Sequence, residues 1–399
     1  MSCSLAALPV FLEIHWLVIK GYATPEGTAR YAQRAVETKK LPPEHFRLTA
    51  TGHTLSSLGM GSYLGEPDDE DSEMMESAVR RSVTSGAVNV LDTAINYRYQ
   101  ASEVTIGRAL ADLIAQGALQ RDEVFVASKN GFLTPDYRVN QPVKQYMEAT
   151  YLQSGVVDPK DVVGGMHCIS PSFLADQLQR SLDNLGLETL DLLYLHNVAE
   201  SQLPYVAFDI VMDRLETAFT FLEGERQAGR LRYYGLATWN CFRVDPDESA
   251  DYLSLEMLMD MAEAIGGPDH GLRYMQLPYN YAYLEAFGYA NQPLRHGDHH
   301  HIVTTCQAAQ ALGVGLFASV PLFQGQLLTQ APSMRPFRKS LDKASLSCLQ
   351  FVRSTPGILA PLVGHKQPAH VEENLRVAWE TPLNDAEFAT FLSHEFERV

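Results

Sequence analysis

The chain has 399 residues, 46% hydrophobic and 20% charged, which is enough apolar material for one large α/β barrel or for two to three medium domains. Its 31 Lys and Arg against 48 Asp and Glu leave a formal charge of −17, which excludes nucleic acid as the expected partner. Five scattered cysteines (Cys3, Cys168, Cys241, Cys306, Cys348) form no CxxC pair, so a reducing, cytoplasmic setting is expected rather than a disulfide framework or a structural zinc site.

Residues 1–45 read as an N-terminal extension, loosely packed or disordered, ahead of a domain over 46–399. The apolar stretch 5–19 is interrupted by Pro9, Glu13 and His15 and lacks flanking basic residues, so no stable membrane insertion is expected. Next, RLTATGHTLSSLGMG predicts a hairpin around Thr51, Gly52 and His53. Short β-branched runs then alternate with stretches of helical period. Strands are predicted at 57–63, 88–92, 124–129, 190–196, 232–237, 274–277, 314–319 and 359–364. Helices are predicted at 70–85, 102–116, 172–185, 213–228, 253–265, 302–312, 342–353 and 371–379. Eight strand–helix units specify a (β/α)8 TIM barrel, here with an N-terminal capping hairpin and two long rim loops.

Those loops, 130–169 and 278–301, follow the third and sixth barrel strands, on the face where barrel enzymes carry their sites. Both are rich in Phe and Tyr, which suits either the lining of an apolar pocket or extra packing over the rim. The acidic run 66–71 precedes the first barrel helix, where negative charge opposes the helix dipole favourably. The histidines of RHGDHHH (His296, His299, His300, His301) lack paired carboxylates at ligand spacing, and no metal is expected there.

Three apolar strands end on a charged or polar residue: VNVLD on Asp92, VFVASK on Lys129 and DLLYLH on His196. Such groups at the tips of buried strands are costly unless paired or used. The barrel brings all three tips to one rim, and Tyr97, five residues past Asp92, reaches the same space. The types fit one chemistry. A Tyr hydroxyl serves as acid, a Lys cation lowers its pKa, an Asp holds the Lys, and a His hydrogen-bonds a carbonyl oxygen while hydride arrives from a cofactor.

With these residues in view, the chain resembles the aldo/keto reductase superfamily. LDTAINY is similar to the family's D-T-A-x-x-Y, SEVTIGRAL continues it, and VASK and DLLYLHN resemble the segments carrying the family's catalytic Lys and His. The resemblance runs from about residue 47 to 374. It implies Asp92, Tyr97, Lys129 and His196 as a catalytic tetrad, and NADPH bound without a dinucleotide fold, with NADH left open. It further implies that Gly61 and Ser62, in LGMGSYLG, lie beside the nicotinamide together with Tyr63, and that Thr238, Asn240 and Gln276 are carboxamide contacts. Leu322, Gln324 and Gly325, in PLFQGQL, are implied at the pyrophosphate. Gly364, Lys366, His370, Glu373 and Asn374, in GHKQPAHVEENL, are implied at the adenosine end, with Lys366 toward a 2′-phosphate.

Three departures stand out. Ser319 occupies the place of a nicotinamide-stacking Tyr, GLATWN replaces a Ser-Asn pair, and RYQASE replaces a glycine-containing turn after Tyr97. The expected activity is reduction of an aldehyde or ketone to the alcohol, or the reverse, on a small-molecule substrate; homo-oligomers are compatible with it. The competing reading is a cofactor-binding regulatory subunit on the same barrel.

Overall fold

The computed structural model describes residues 18–297, 299–330 and 340–396. A hairpin of β1 (Phe46–Leu48) and β2 (Thr54–Ser56) precedes barrel strands β3 (Gly59–Gly61), β4 (Val90–Asp92), β5 (Phe125–Asn130), β6 (Leu190–His196), β7 (Leu231–Ala237) and β8 (Leu272–Pro278). A second antiparallel hairpin, β9 (Ala290–His296) and β10 (His299–Thr304), interrupts the series before β11 (Gly315–Ser319) and β12 (Ile358–Gly364). The eight barrel strands close in parallel, with β12 returning to pair with β3. Each is followed by its helix, in turn Asp69–Thr84, Ala101–Ala115, Pro171–Leu185, Phe208–Gln227, Leu255–Gly266, Thr305–Ala311, Ala344–Ser354 and Pro368–Leu375.

Side-chain parity builds the barrel. Phe125, Ala127, Leu192, Tyr194, Tyr274 and Phe317 fill its interior, while Val126, Leu193, Leu195, Met275, Leu277 and Leu316 face the surrounding helices. The strand period of two sends Lys129 inward above Ala127, His196 above Tyr194 and Gln276 above Tyr274. Parallel register then steps them up by two residues from β4 to β5 and from β5 to β6, with Asp92 opposite Ala127 and Lys129 opposite Tyr194, while Ala237 lies opposite both His196 and Gln276.

The opposite end is closed by the β1–β2 hairpin. His53 lies edge-on to Phe125, with ring centroids 5.5 Å apart, and Thr51 hydrogen-bonds the Tyr274 hydroxyl. The expected capping hairpin is therefore present, with Gly52 at φ +84° in its turn.

Residues 18–45 depart from the expectation of loose packing. Thr24 caps the helix Pro25–Arg34, accepting from the Gly27 N–H at 2.9 Å. Tyr31 on that helix is buried, its hydroxyl 2.7 Å from the carbonyl oxygens of both Val83 and Val88. Arg34 holds the buried Glu123 carboxylate with two bonds of 2.6 and 3.0 Å. Polar composition hid this helix, because its attachment rests on hydrogen bonds and ion pairs more than on an apolar stripe. Most of the apolar stretch 5–19 lies outside the described residues.

The two rim loops divide the roles expected of them. Tyr146 and Tyr151 of the first pack with Leu133, Val157, Cys168 and Phe173 in a separate small core, so they support the loop itself. In the second, Tyr279 and Tyr281 lie against Phe351, at 5.8 and 4.5 Å between ring centroids. The helix expected over 302–312 starts only at Thr305, because residues 299–304 pair with β9 instead.

Candidate active site

The four residues expected to converge do so at the C-terminal mouth of the barrel. Lys129 Nζ donates to Asp92 Oδ2 at 2.6 Å and to the Thr93 carbonyl at 2.8 Å. Gln276 Nε2 donates to the other Asp92 oxygen at 3.0 Å, so the carboxylate is held at both ends. The Lys129 ammonium also sits 4.7 Å from the centre of the Tyr97 ring. Tyr97 in turn lies edge-to-face with His196 at 6.0 Å and with Tyr63 at 5.1 Å.

Burial sets the electrostatics. Asp92, Lys129 and His196 are all buried. Burial works against the Lys129 ammonium, yet the Asp92 carboxylate and Tyr97 outweigh it and raise the ammonium's pKa, so Lys129 stays charged. The Tyr97 phenol is raised by burial, with Lys129 pulling the other way, so it holds its proton at neutral pH. His196 is lowered well below the usual imidazole value by burial, then by Lys129 and His167, and is neutral. Its Nδ1 is buried without a partner. An unpaired buried acceptor costs less than an unpaired N–H, which favours the tautomer with its proton on Nε2.

Support for His196 comes from a group that the sequence did not flag. His167, at the end of the first rim loop, bonds the His196 carbonyl through Nε2 at 2.8 Å, and Gln202 Nε2 meets its Nδ1 at 3.1 Å. Phe132 stands between the two imidazoles, 5.0 Å from His167 and 5.2 Å from His196. Gly131 makes this possible: at φ +147° it passes so close that a Cβ there would lie 2.9 Å from His167 Nε2. Of the first loop's aromatics, Phe132 is the one in ring contact with His196.

The loop after Tyr97 is strained. Arg98, Tyr99 and Gln100 all have positive φ, at 51°, 52° and 77°. The buried Arg98 guanidinium anchors the turn by donating to the Glu66 carbonyl at 2.7 Å, the Asp68 carbonyl at 3.3 Å and Ser72 Oγ at 2.7 Å. Here the chain lacks the glycine noted above, and a buried cation holds the left-handed backbone instead.

The residues expected around a cofactor are placed unevenly. Gly61 ends β3, and Ser62 spends its N–H and hydroxyl on the Asp92 carbonyl, both at 3.1 Å. Thr238 lies at the mouth just beyond β7, its N–H on the Gln276 carbonyl and its buried hydroxyl beside the Cys241 thiol. Asn240 turns aside, its amide donating to Asp251 at 3.2 Å. Val320, Phe323, Gln324 and Gly325 all have positive φ, with Leu322 half-buried between them. Gly364 ends β12, and Lys366 just beyond it forms an ion pair with Asp71. His370 is exposed, Glu373 accepts from Ser345, and Asn374 is buried 3.4 Å from His365 Nδ1. His299 and His300 are exposed on β10, and no group of His, Cys, Asp and Glu suited to a metal ion occurs among the described residues. No described helix is long and apolar enough to cross a membrane.

Comparison with known proteins gives a consistent result. The model of the aldo/keto reductase family matches residues 57–262. Among solved structures, an aldo/keto reductase from Klebsiella pneumoniae in complex with NADP and acetate is 16% identical, with a TM-score of 0.56 over 88% of this chain and 95% of that one. The holo form of an aldo-keto reductase from Bacillus halodurans is 18% identical, with a TM-score of 0.54 over 87% of this chain and 95% of that one. At such identity these two likenesses speak for the barrel fold.

Proposed function

The chain belongs to the aldo/keto reductase family, oxidoreductases acting on carbonyl and alcohol groups, and from that premise we propose that it reduces an aldehyde or ketone with NADPH, Tyr97 supplying the proton. The observation that carries this reading is the Lys129 ammonium, held by Asp92 at 2.6 Å and lying 4.7 Å from the Tyr97 ring centre.

The residues at the mouth fit the cofactor. The Thr238 hydroxyl, beside the Cys241 thiol, and the carbonyl end of Gln276, whose amide N–H donates to Asp92, suit a carboxamide. Positive φ at Val320, Phe323, Gln324 and Gly325 folds this stretch into a tight turn; the Phe323 and Gly325 N–H groups are spent on the Val320 and Leu322 carbonyls, so a contact to phosphate oxygens would fall to the Gln324 N–H. Lys366 would meet a 2′-phosphate, and the exposed His370 would lie near it. When bound, NADPH supplies the hydride.

The chain's own residues manage the proton and the carbonyl. Neutral His196 donates from Nε2 and orients the carbonyl oxygen. Tyr97, protonated at neutral pH, passes its proton to that oxygen as negative charge develops there. The tyrosinate left behind is stabilised by Lys129, whose charge Asp92 keeps in place. Tyr63 and Phe132 flank the Tyr97–His196 pair and restrict water at the reacting centre.

The test is rapid mixing of the protein–NADPH complex with a panel of aliphatic, aromatic and sugar aldehydes, following loss of reduced nicotinamide. Oxidation in a single turnover by at least one aldehyde is expected, unaffected by chelator. Tight NADPH binding with no oxidation by any member of the panel would instead favour a binding subunit.

A further inference from the structure

The adenosine end of the proposed cofactor site has an unusual charge balance. Lys366 is not presented alone, for its ammonium is ion-paired with Asp71, in the first turn of the helix Asp69–Thr84, and both side chains are mostly buried. Gly65 packs against the pair at φ +111°, where a Cβ would lie 2.5 Å from Asp71 Oδ2 and 2.8 Å from Lys366 Nζ. The Glu66 N–H donates to Asp71 Oδ2 at 2.5 Å, leaving Oδ1 to the Lys366 ammonium. The Lys366 bond, aided by this N–H, holds Asp71 below the usual carboxylate range, so it remains an anion. Farther along, Arg81 is balanced by Glu372 and Arg376 by Asp342, while Arg98, whose charge also acts on Asp71, is spent on carbonyl and hydroxyl oxygens.

We propose that Asp71 sets cofactor selectivity: by neutralising Lys366 it weakens recognition of a 2′-phosphate and narrows the preference for NADPH over NADH. This rests on the cofactor reading above. A dianionic phosphate arriving at Lys366 must share the ammonium with Asp71 and accept repulsion from its carboxylate. Even with the screening of bulk water, a dianion about 6 Å from the carboxylate meets a repulsion worth about tenfold in affinity. A nucleotide with a free 2′-hydroxyl meets no such repulsion. Asp71→Asn removes the charge while keeping an oxygen for the Glu66 N–H.

The experiment is calorimetric titration with 2′,5′-ADP and 5′-AMP, which differ in the 2′-phosphate and require no turnover. In wild type the two should differ by less than about tenfold. Asp71→Asn should bind 2′,5′-ADP about tenfold more tightly and change 5′-AMP by less than about twofold. Adding Lys366→Met to Asp71→Asn should abolish the gain. Unchanged or weaker binding of 2′,5′-ADP by Asp71→Asn, in protein that keeps its Tm, would overturn the proposal. If wild type binds neither probe nor NADPH, the cofactor reading itself fails and takes the proposal with it.

Discussion

Arg98 shows how a single side chain can replace a glycine. Its φ of 51° costs on the order of 1 kcal/mol, and the guanidinium's bonds to Glu66, Asp68, Ser72 and Thr105 offset that cost. Arg98→Ala keeps the strained backbone and loses the anchors, so a loss of about 2–4 kcal/mol in urea unfolding is expected. Arg98→Gly loses the same anchors but relieves the backbone, and should recover about 1 kcal/mol of that loss. Equal stability of the two variants would show that the positive φ carries no cost. Asp92, Lys129 and His196 were legible in the sequence because a charged or polar residue ending an apolar run is conspicuous, and Tyr97 because it lies in the loop that leaves the same rim at Asp92. The supporting groups were not. Nothing local marks His167 as a prop for His196, or Asp71 as the partner of Lys366, 295 positions away. Such pairings depend on which loops the barrel brings together.

Elements were readable where the pattern was periodic. All eight barrel strands and their helices lie close to their expected positions, since each combines an apolar face with turn residues. The pattern misled at β10, where 299–304 joins a hairpin, and in the helix Pro25–Arg34, whose attachment is polar. That helix is part of the barrel's outer layer. Tyr31→Phe removes the hydroxyl shared by the Val83 and Val88 carbonyls and should cost about 1–3 kcal/mol, read as a fall in Tm. An unchanged Tm would mean that this helix adds little to the barrel and that the expectation of a loosely held extension was the better one.

The whole molecule carries an acid sensitivity that its net charge does not reveal. His167 and His365 are buried, and burial lowers each imidazole to about 4. In the unfolded chain both would titrate near the ordinary value, so between pH 7 and 5 unfolding takes up protons that the native state refuses. Stability therefore falls as pH drops through this window, by about 2 kcal/mol for each of the two at pH 5. Tm should decline by several degrees between pH 7 and 5, and His365→Gln should decline less. Equal slopes for the variant and wild type would contradict this source. Near the proposed adenosine end the cations Lys366, Arg81 and Arg376 are each matched by a carboxylate, which is how the charge of −17 is felt there.

Delivery of the proton by Tyr97 is tested by Tyr97→Phe. The substitution keeps the ring beside Lys129, Tyr63 and His196 and removes only the hydroxyl. The measurement is aldehyde-dependent oxidation of NADPH by this variant, alongside NADPH affinity from fluorescence titration. A fall in kcat of about 10²–10⁴-fold is expected, with NADPH affinity within a few fold of wild type. Turnover at the wild-type rate with affinity intact would contradict it.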